Sequence, residues 1–336
     1  MMKIVKNIRI ALIIGFFYLL MILFLVIRIP GKELVLKGDL TPVTNGIEID
    51  GATSQNGFYS IYVMSFEKPT LFQLFISHFN KNVTVNEVQK SQSFSLKEQY
   101  EMGQIDERIS YQNAVISAYE KAHETNPSIL IDKLLTGYII SYVDKQQPSL
   151  EIGDLIQSVN GHSIHDIDVN GFYNVFHENS SVSLDIIRDN KAITVIMNHV
   201  IGQTYFGVML EPVYSIQTTP SYKELYADDV IGGPSGGLLQ TLEIYTQLLN
   251  IDIKGLKVSG TGTITRDNGV GAIGGVKQKV LTASDHDIDL FFVPEANYKE
   301  ALVTYNDLNN PGFDLVKVGD FDEAVEKLLS YIQSRP

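Results

Sequence analysis

From Ile10 to Ile27 the sequence reads IALIIGFFYLLMILFLVI, eighteen residues without a charge. A helix buried in a soluble core keeps a polar stripe, and this run has none. Its length meets the threshold of about 18 apolar residues that a helix needs to cross bilayer hydrocarbon. The following segment, RIPGKELVLKG, lacks the small-x-small pattern at which a secretory leader is cut, so a retained anchor is expected. Lys3, Lys6, Arg9 and the amino group outnumber Arg28 and Lys32 on the other side. The expectation is a cytoplasmic tail at 1–9, a transmembrane helix at 10–29, and the rest outside the cytoplasm.

The remaining chain is long enough for more than one core, since the sequence has 336 residues. Its formal charge is −13, and the five cations Lys3, Lys6, Arg9, Arg28 and Lys32 precede the first acid, Glu33, so the part from Glu33 onward carries −18. Such a body repels phosphate backbones and excludes a nucleic-acid role. There is no cysteine, which removes disulfides, thiolate chemistry and cysteine-bound zinc. The histidines form no H-E-x-x-H pattern, and neither metal nor cofactor is expected.

Residues 30–125 hold a strand, Gly57 to Phe66, then TLFQLFISHF, then a polar helical stretch in which Ile105, Ile109, Val115, Ile116 and Tyr119 approximate one stripe. No chemistry is visible there, and a packing role or a lid is expected. From about 128 the pattern changes to short alternating strands with turn residues between them. Leu134 to Ile164 contains Gly137-Tyr138-Ile139-Ile140, Pro148, Glu151-Ile152-Gly153-Asp154-Leu155-Ile156 and Val159-Asn160-Gly161. This span resembles a PDZ domain of the kind attached to proteases, assigned to 126–202. The resemblance implies a loop at Leu135, Thr136, Gly137 and Tyr138 whose amides take a peptide's terminal carboxylate.

The stretch VIGGPSGGLLQTLEIYTQLL, Val230 to Leu249, brings a serine through a glycine-rich turn to an amphipathic helix with Leu238, Leu239, Leu242, Tyr245 and Leu249 on one side. Unpaired amides at such a helix start suit an oxyanion. Pro234 has no N–H, so the donors fall to Ser235 and to the turn residues Gly232, Gly233 and Gly236. Taken alone, Ser235 also fits an ordinary helix cap. G-x-S-x-G further fits the nucleophile elbow of an esterase, but that mechanism needs a later histidine and only His286 follows. Downstream, Gly255 to Asn297 predicts a strand, a hairpin at Asp267-Asn268-Gly269, a Gly274-Gly275 turn, a helix and a buried strand IDLFFVP. Helical spacing does not choose between Lys277 and Lys279.

Gly233-Pro234-Ser235-Gly236-Gly237, Thr261-Gly262, Gly274-Gly275-Val276-Lys277-Gln278-Lys279 and Val293-Pro294-Glu295-Ala296-Asn297 together resemble the Lon-type peptidase domain. The resemblance implies a catalytic dyad of Ser235 and Lys279, with Thr261 positioning the lysine. Gly236 and Thr263 depart from the residues common in that family, alanine and an acid, and neither departure removes a catalytic group. No G-x-x-x-x-G-K-[ST] occurs in the chain, so no ATP is expected. Anchor, PDZ and Lon-type domain in this order resemble the membrane-bound PDZ peptidases of Gram-positive bacteria, including the streptococcal pheromone-processing family.

The expected fold class is α+β: a transmembrane helix, a β-rich PDZ-like domain, and a Lon-type α/β domain at 203–336 of the ribosomal protein S5 domain 2-like kind. The expected function is cleavage of extracellular peptides or membrane-protein segments, in pheromone processing or control of envelope and division factors. The alternative is a tethered PDZ adaptor with an inactive peptidase domain. Oligomeric state is not set by the sequence.

Overall fold

The computed structural model describes residues 2–53, 56–88, 94–166, 169–198, 200–202, 206–225, 233–308 and 310–335. All of the uncharged run but Ile27 lies in the helix Met2–Val26, and the part Val5–Val26 is long and apolar enough to cross a membrane. The helix starts before residue 10 because the lysines and arginine ahead of the apolar run are good helix formers. It stops before the expected limit of 29, where the residues ahead of Pro30 turn extended. Ile29 N–H donates to the Pro69 carbonyl at 2.8 Å, and Arg28 bridges to Thr70.

One six-stranded mixed sheet organises the site. Its order is Asp314–Val318, Leu290–Pro294, Val258–Gly260, Phe58–Glu67, Lys32–Pro42 and Thr84–Glu87. The first four run parallel and the last two pair antiparallel. The sheet joins two regions that the sequence set apart, with three strands from 203–336 on one side and three from 30–125 on the other. Val258–Gly260 is the reason: this wholly buried three-residue strand needs partners on both edges, and takes Leu290 on one and Phe58 on the other.

Helices cover both faces. Leu96–Thr125, Gly237–Leu248 and Phe321–Ser334 close over Phe58, Val258 and Phe292. Val276–Ser284 and Glu295–Asn306 close over Ile61, Phe291 and Val293. The long helix Leu96–Thr125 begins with a capping box, Ser95 with Glu98. Its stripe is buried, yet against two different bodies. Val115 and Tyr119 enter the main core, while Ile105 and Ile109 pack with Ile139 and Val213 of a second sheet. It is a strut between the two.

The second sheet is antiparallel, in the order Val208–Thr219, Leu130–Val143, Leu155–Val159, Ser181–Arg188, Lys191–Asn198, with His162–Ser163 beside Leu155–Val159. Its core contains Ile140, Ile156, Leu184 and Phe176 of the helix Val169–Glu178. The closing hairpin turns at Asp189 and Asn190, both at positive φ, as a two-residue turn requires. Its first strand, Val208–Thr219, lies beyond the expected boundary at 202.

That strand also corrects the expected carboxylate loop. Leu135, Thr136, Gly137 and Tyr138 are inside Leu130–Val143, where Leu135 pairs with Tyr214, Gly137 with Val213 and Tyr138 with Pro212. Tyr138 pairs on its other side with Ile156, and the Thr136 hydroxyl donates to the Val213 carbonyl at 2.9 Å. Along one edge the whole strand is paired with the chain's own distant strand. Gly137 serves close packing there, since a Cβ would stand 2.6 Å from Leu155 Cδ1.

Candidate active site

Ser235 lies in the single turn Pro234–Gly236 that leads into the helix Gly237–Leu248. Proline fits the first position because its missing N–H is one the helix start leaves unpaired. The turn approaches its neighbours closely only because residue 237 is glycine: a Cβ there would lie 2.5 Å from Ser110 Oγ and 3.0 Å from the Ile264 nitrogen. Carbonyls of the turn are pinned from several directions. Ser110 Oγ donates to the Pro234 carbonyl at 3.0 Å. Gly262 N–H and the Thr261 hydroxyl donate to the Ser235 carbonyl at 2.9 and 3.1 Å. Leu238 N–H donates to Gly262 at 3.0 Å, which completes the brace.

Lys279 comes from the helix Val276–Ser284, which follows a left-handed Gly275. Its residue is 2% exposed, against Val276 and Val280 that are fully buried. Lys279 Nζ stands 2.7 Å from Ser235 Oγ and 3.0 Å from Thr261 Oγ1. Packing brings Lys279, not Lys277, to Ser235, for Lys277 remains half-buried on the flank of the helix. Burial pushes the Lys279 amine down to about 8, because a charge there loses its water. Thr261 has one hydroxyl hydrogen, already given to the Ser235 carbonyl, so it offers Lys279 only lone pairs. A neutral amine can give one hydrogen to Thr261 and keep its own lone pair for the Ser235 hydroxyl.

The structure brings Ser235, Lys279 and Thr261 together. Gly236 is buried beside Ser60, with a methyl at 236 falling 3.0 Å from Ser60 Oγ, and Gly233 caps the turn in an exposed, extended conformation. Gly232 lies outside the described residues. His286 Nε2 is 3.1 Å from Asp39, so the one histidine after the serine faces a carboxylate rather than the partner of Ser235. Among the described residues no group of three His, Cys, Asp or Glu could hold a metal.

Three supporting side chains carried no assigned role in the sequence. Asn297 accepts from Ile273 N–H at 2.8 Å and donates to the Ile273 carbonyl at 3.0 Å, fixing the segment that leads into the lysine helix. Ser110 and Asn113, on the strut helix, bind the Pro234 carbonyl and the Ile264 carbonyl, the latter at 3.2 Å. Their signal was available: they are polar residues beside an apolar helical stripe, and buried polar groups need partners. Beside Pro234 a cleft of about 690 Å³ opens toward the second sheet, lined by Asp106, Tyr138, Leu210, Glu211 and Arg266 among others. Burial pushes both Asp106 and Glu211 up, and Glu211 further through the charge of Asp106.

A sequence profile for the Lon protease (S16) C-terminal proteolytic domain matches residues 230–331, which contain Ser235, Thr261, Lys279 and Asn297. The Lon protease of Mycoplasma mobile is 36% identical over 96 residues, covering 29% of this chain and 11% of that protein. The chain therefore carries a Lon-type proteolytic domain and spans about a tenth of the length of that relative.

Proposed function

We propose that this protein is a membrane-anchored serine endopeptidase in which Ser235 is the nucleophile, Lys279 the general base and Thr261 the residue that positions the amine. The observation that carries the reading is a lysine 2% exposed whose Nζ is 2.7 Å from a serine oxygen at a helix start. The neutral amine takes the Ser235 proton as Oγ attacks a peptide carbonyl and returns it to the leaving nitrogen. The oxyanion lies at the start of the turn, where the Ser235 amide and Gly233 amide are the candidate donors. Water then hydrolyses the acyl-enzyme, with Lys279 again taking the proton.

Substrates are peptides or protein segments in extended form. Phe58–Glu67 pairs with Val258–Gly260 from Phe58 as far as Ser60, and no described strand pairs with its Ile61–Glu67 edge on that side. Tyr62, Met64 and Phe66 stand on the same face as Ser60 by strand alternation, each about half exposed. A chain laid along this edge finds backbone partners and apolar contacts leading away from the dyad. Ser110, Pro234 and the cleft toward the second sheet form the other flank. The second sheet is read as a PDZ-like unit joined to the peptidase by the strut helix. The work is done without ATP, outside the cytoplasm, on pheromone precursors or on envelope and division factors.

The test uses the full chain in detergent with a peptide library read by mass spectrometry, alongside Ser235→Ala and Lys279→Ala. Wild type is expected to cleave internal bonds and both variants to leave the library intact. Cleavage that persists in Ser235→Ala refutes the assignment. Intact peptides with wild type, yet bound equally by all three proteins, point to the adaptor instead.

A further inference from the structure

The short helix Leu71–Ser77, closed by a capping box of Thr70 and Gln73, turns its apolar side outward. Phe72, Phe75, Ile76 and Phe79 are 38, 55, 46 and 72% exposed, a contiguous aromatic patch of the kind soluble surfaces avoid. The Phe75 and Phe79 rings stack edge to face at 5.2 Å. The patch is continuous with the apolar N-terminal helix: Phe24, inside Val5–Val26, has its ring 6.0 Å from those of both Phe72 and Phe75. Leu71 N–H also donates to the Ile27 carbonyl at 3.1 Å. Between Glu67 and Glu87 the stretch that carries the rings is basic. Residues 68–86 include Lys68 and Lys81, both exposed, and no carboxylate, in a chain of net charge −13. Aromatic rings rimmed by lysines suit the headgroup layer of an anionic bilayer.

We propose that Phe72, Phe75, Ile76 and Phe79 insert into the surface of an anionic phospholipid bilayer, the same one that the N-terminal helix crosses, and so seat the peptidase on the membrane. This rests on the anchoring proposed above. A second copy of the chain is the weaker occupant, because rings touching a residue of the spanning helix stand at the hydrocarbon boundary, and a self-pairing face would set Lys68 and Lys81 against their own copies. The seating has a consequence for substrate. Strand Phe58–Glu67 runs from Ser60, beside the Ser235 turn, to Lys68 and the patch. Eight residue steps at about 3.3 Å put Ser60 within roughly 26 Å of strand length from Lys68 at the margin of the patch. The substrates served are segments presented close to the bilayer.

The protein has no tryptophan, so one introduced residue is a unique fluorophore. The full chain is reconstituted in nanodiscs of mixed phosphatidylglycerol and phosphatidylcholine as Phe79→Trp, as Phe17→Trp within the span, and as Val303→Trp on an exposed helix far in sequence. Phe79→Trp is expected to emit to the blue of Val303→Trp and to lose intensity when the acyl chains are brominated near the headgroup end. If Phe17→Trp is quenched and Phe79→Trp no more than Val303→Trp, the seating is wrong and the anchoring stands. A blue-shifted but unquenched Phe79→Trp means protein covers the patch, which also overturns the proposal. A Phe17→Trp unquenched both by these lipids and by lipids brominated near the end of the acyl chain removes the anchoring and the seating with it.

Discussion

Removing the proton from Lys279 is the perturbation that tests the site most directly. The amine is 2% exposed, and burial alone lowers it from an ordinary 10.5 to about 8. At pH 7 about one molecule in ten then has a free amine, at pH 6 about one in a hundred, whereas an ordinary lysine would offer fewer than about one in a thousand at either pH. The second-order rate constant kcat/KM for a quenched-fluorescence peptide, measured on the full chain in detergent from pH 5.5 to 9.5, is expected to rise tenfold per unit and level off above about 8. A flat profile, or an inflection near 6 as for a histidine base, refutes the reasoning. The same proton acts on stability with the opposite sense to a salt bridge. Below about 8 both folded and unfolded chains hold it, and the folded chain bears a buried charge costing about 3 kcal/mol. Between about 8 and 10.5 only the unfolded chain holds it, so stability rises with pH across that window. Lys279→Met is expected to abolish cleavage and to lose this pH-dependent gain.

Thr261→Val removes the lone pairs facing Lys279 and one of two donors to the Ser235 carbonyl. We expect kcat to fall about tenfold to a hundredfold with KM little changed, and Thr261→Ser to retain most of the rate; equal loss in both variants argues that only packing was disturbed. Asn297→Ala leaves both backbone groups of Ile273 without their side-chain partner. A stability loss of about 1–3 kcal/mol in urea unfolding is expected, together with a lower kcat, and an unchanged midpoint would show that the clamp is dispensable.

The one-dimensional order of the chain was enough for everything that depends on near neighbours. The uncharged run, the polar helix with its stripe from Ile105 to Tyr119, the hairpin through Asp267 to Gly269 and the buried strand ending at Pro294 each follow from local spacing, charge or turn chemistry, and each is present. Ser235 and Lys279 were legible as a pair because their motifs resemble a known domain. Helical spacing could not favour Lys279 over Lys277, because a wheel shows the faces of a helix and not what each face will meet.

Tertiary structure alone decided the partners. Strand Phe58–Glu67 joins a sheet with Val258–Gly260, two hundred residues later, and Val208–Thr219 pairs with Leu135–Tyr138, where a loop was expected. A strand's pattern of buried and exposed residues fixes its faces but leaves its two edges blank, and backbone hydrogen bonds look alike whichever segment supplies them. The depressed amine belongs to the same class of fact. No stretch of sequence lowers a lysine to about 8; that takes apolar groups from several segments gathered closely enough to shut out water.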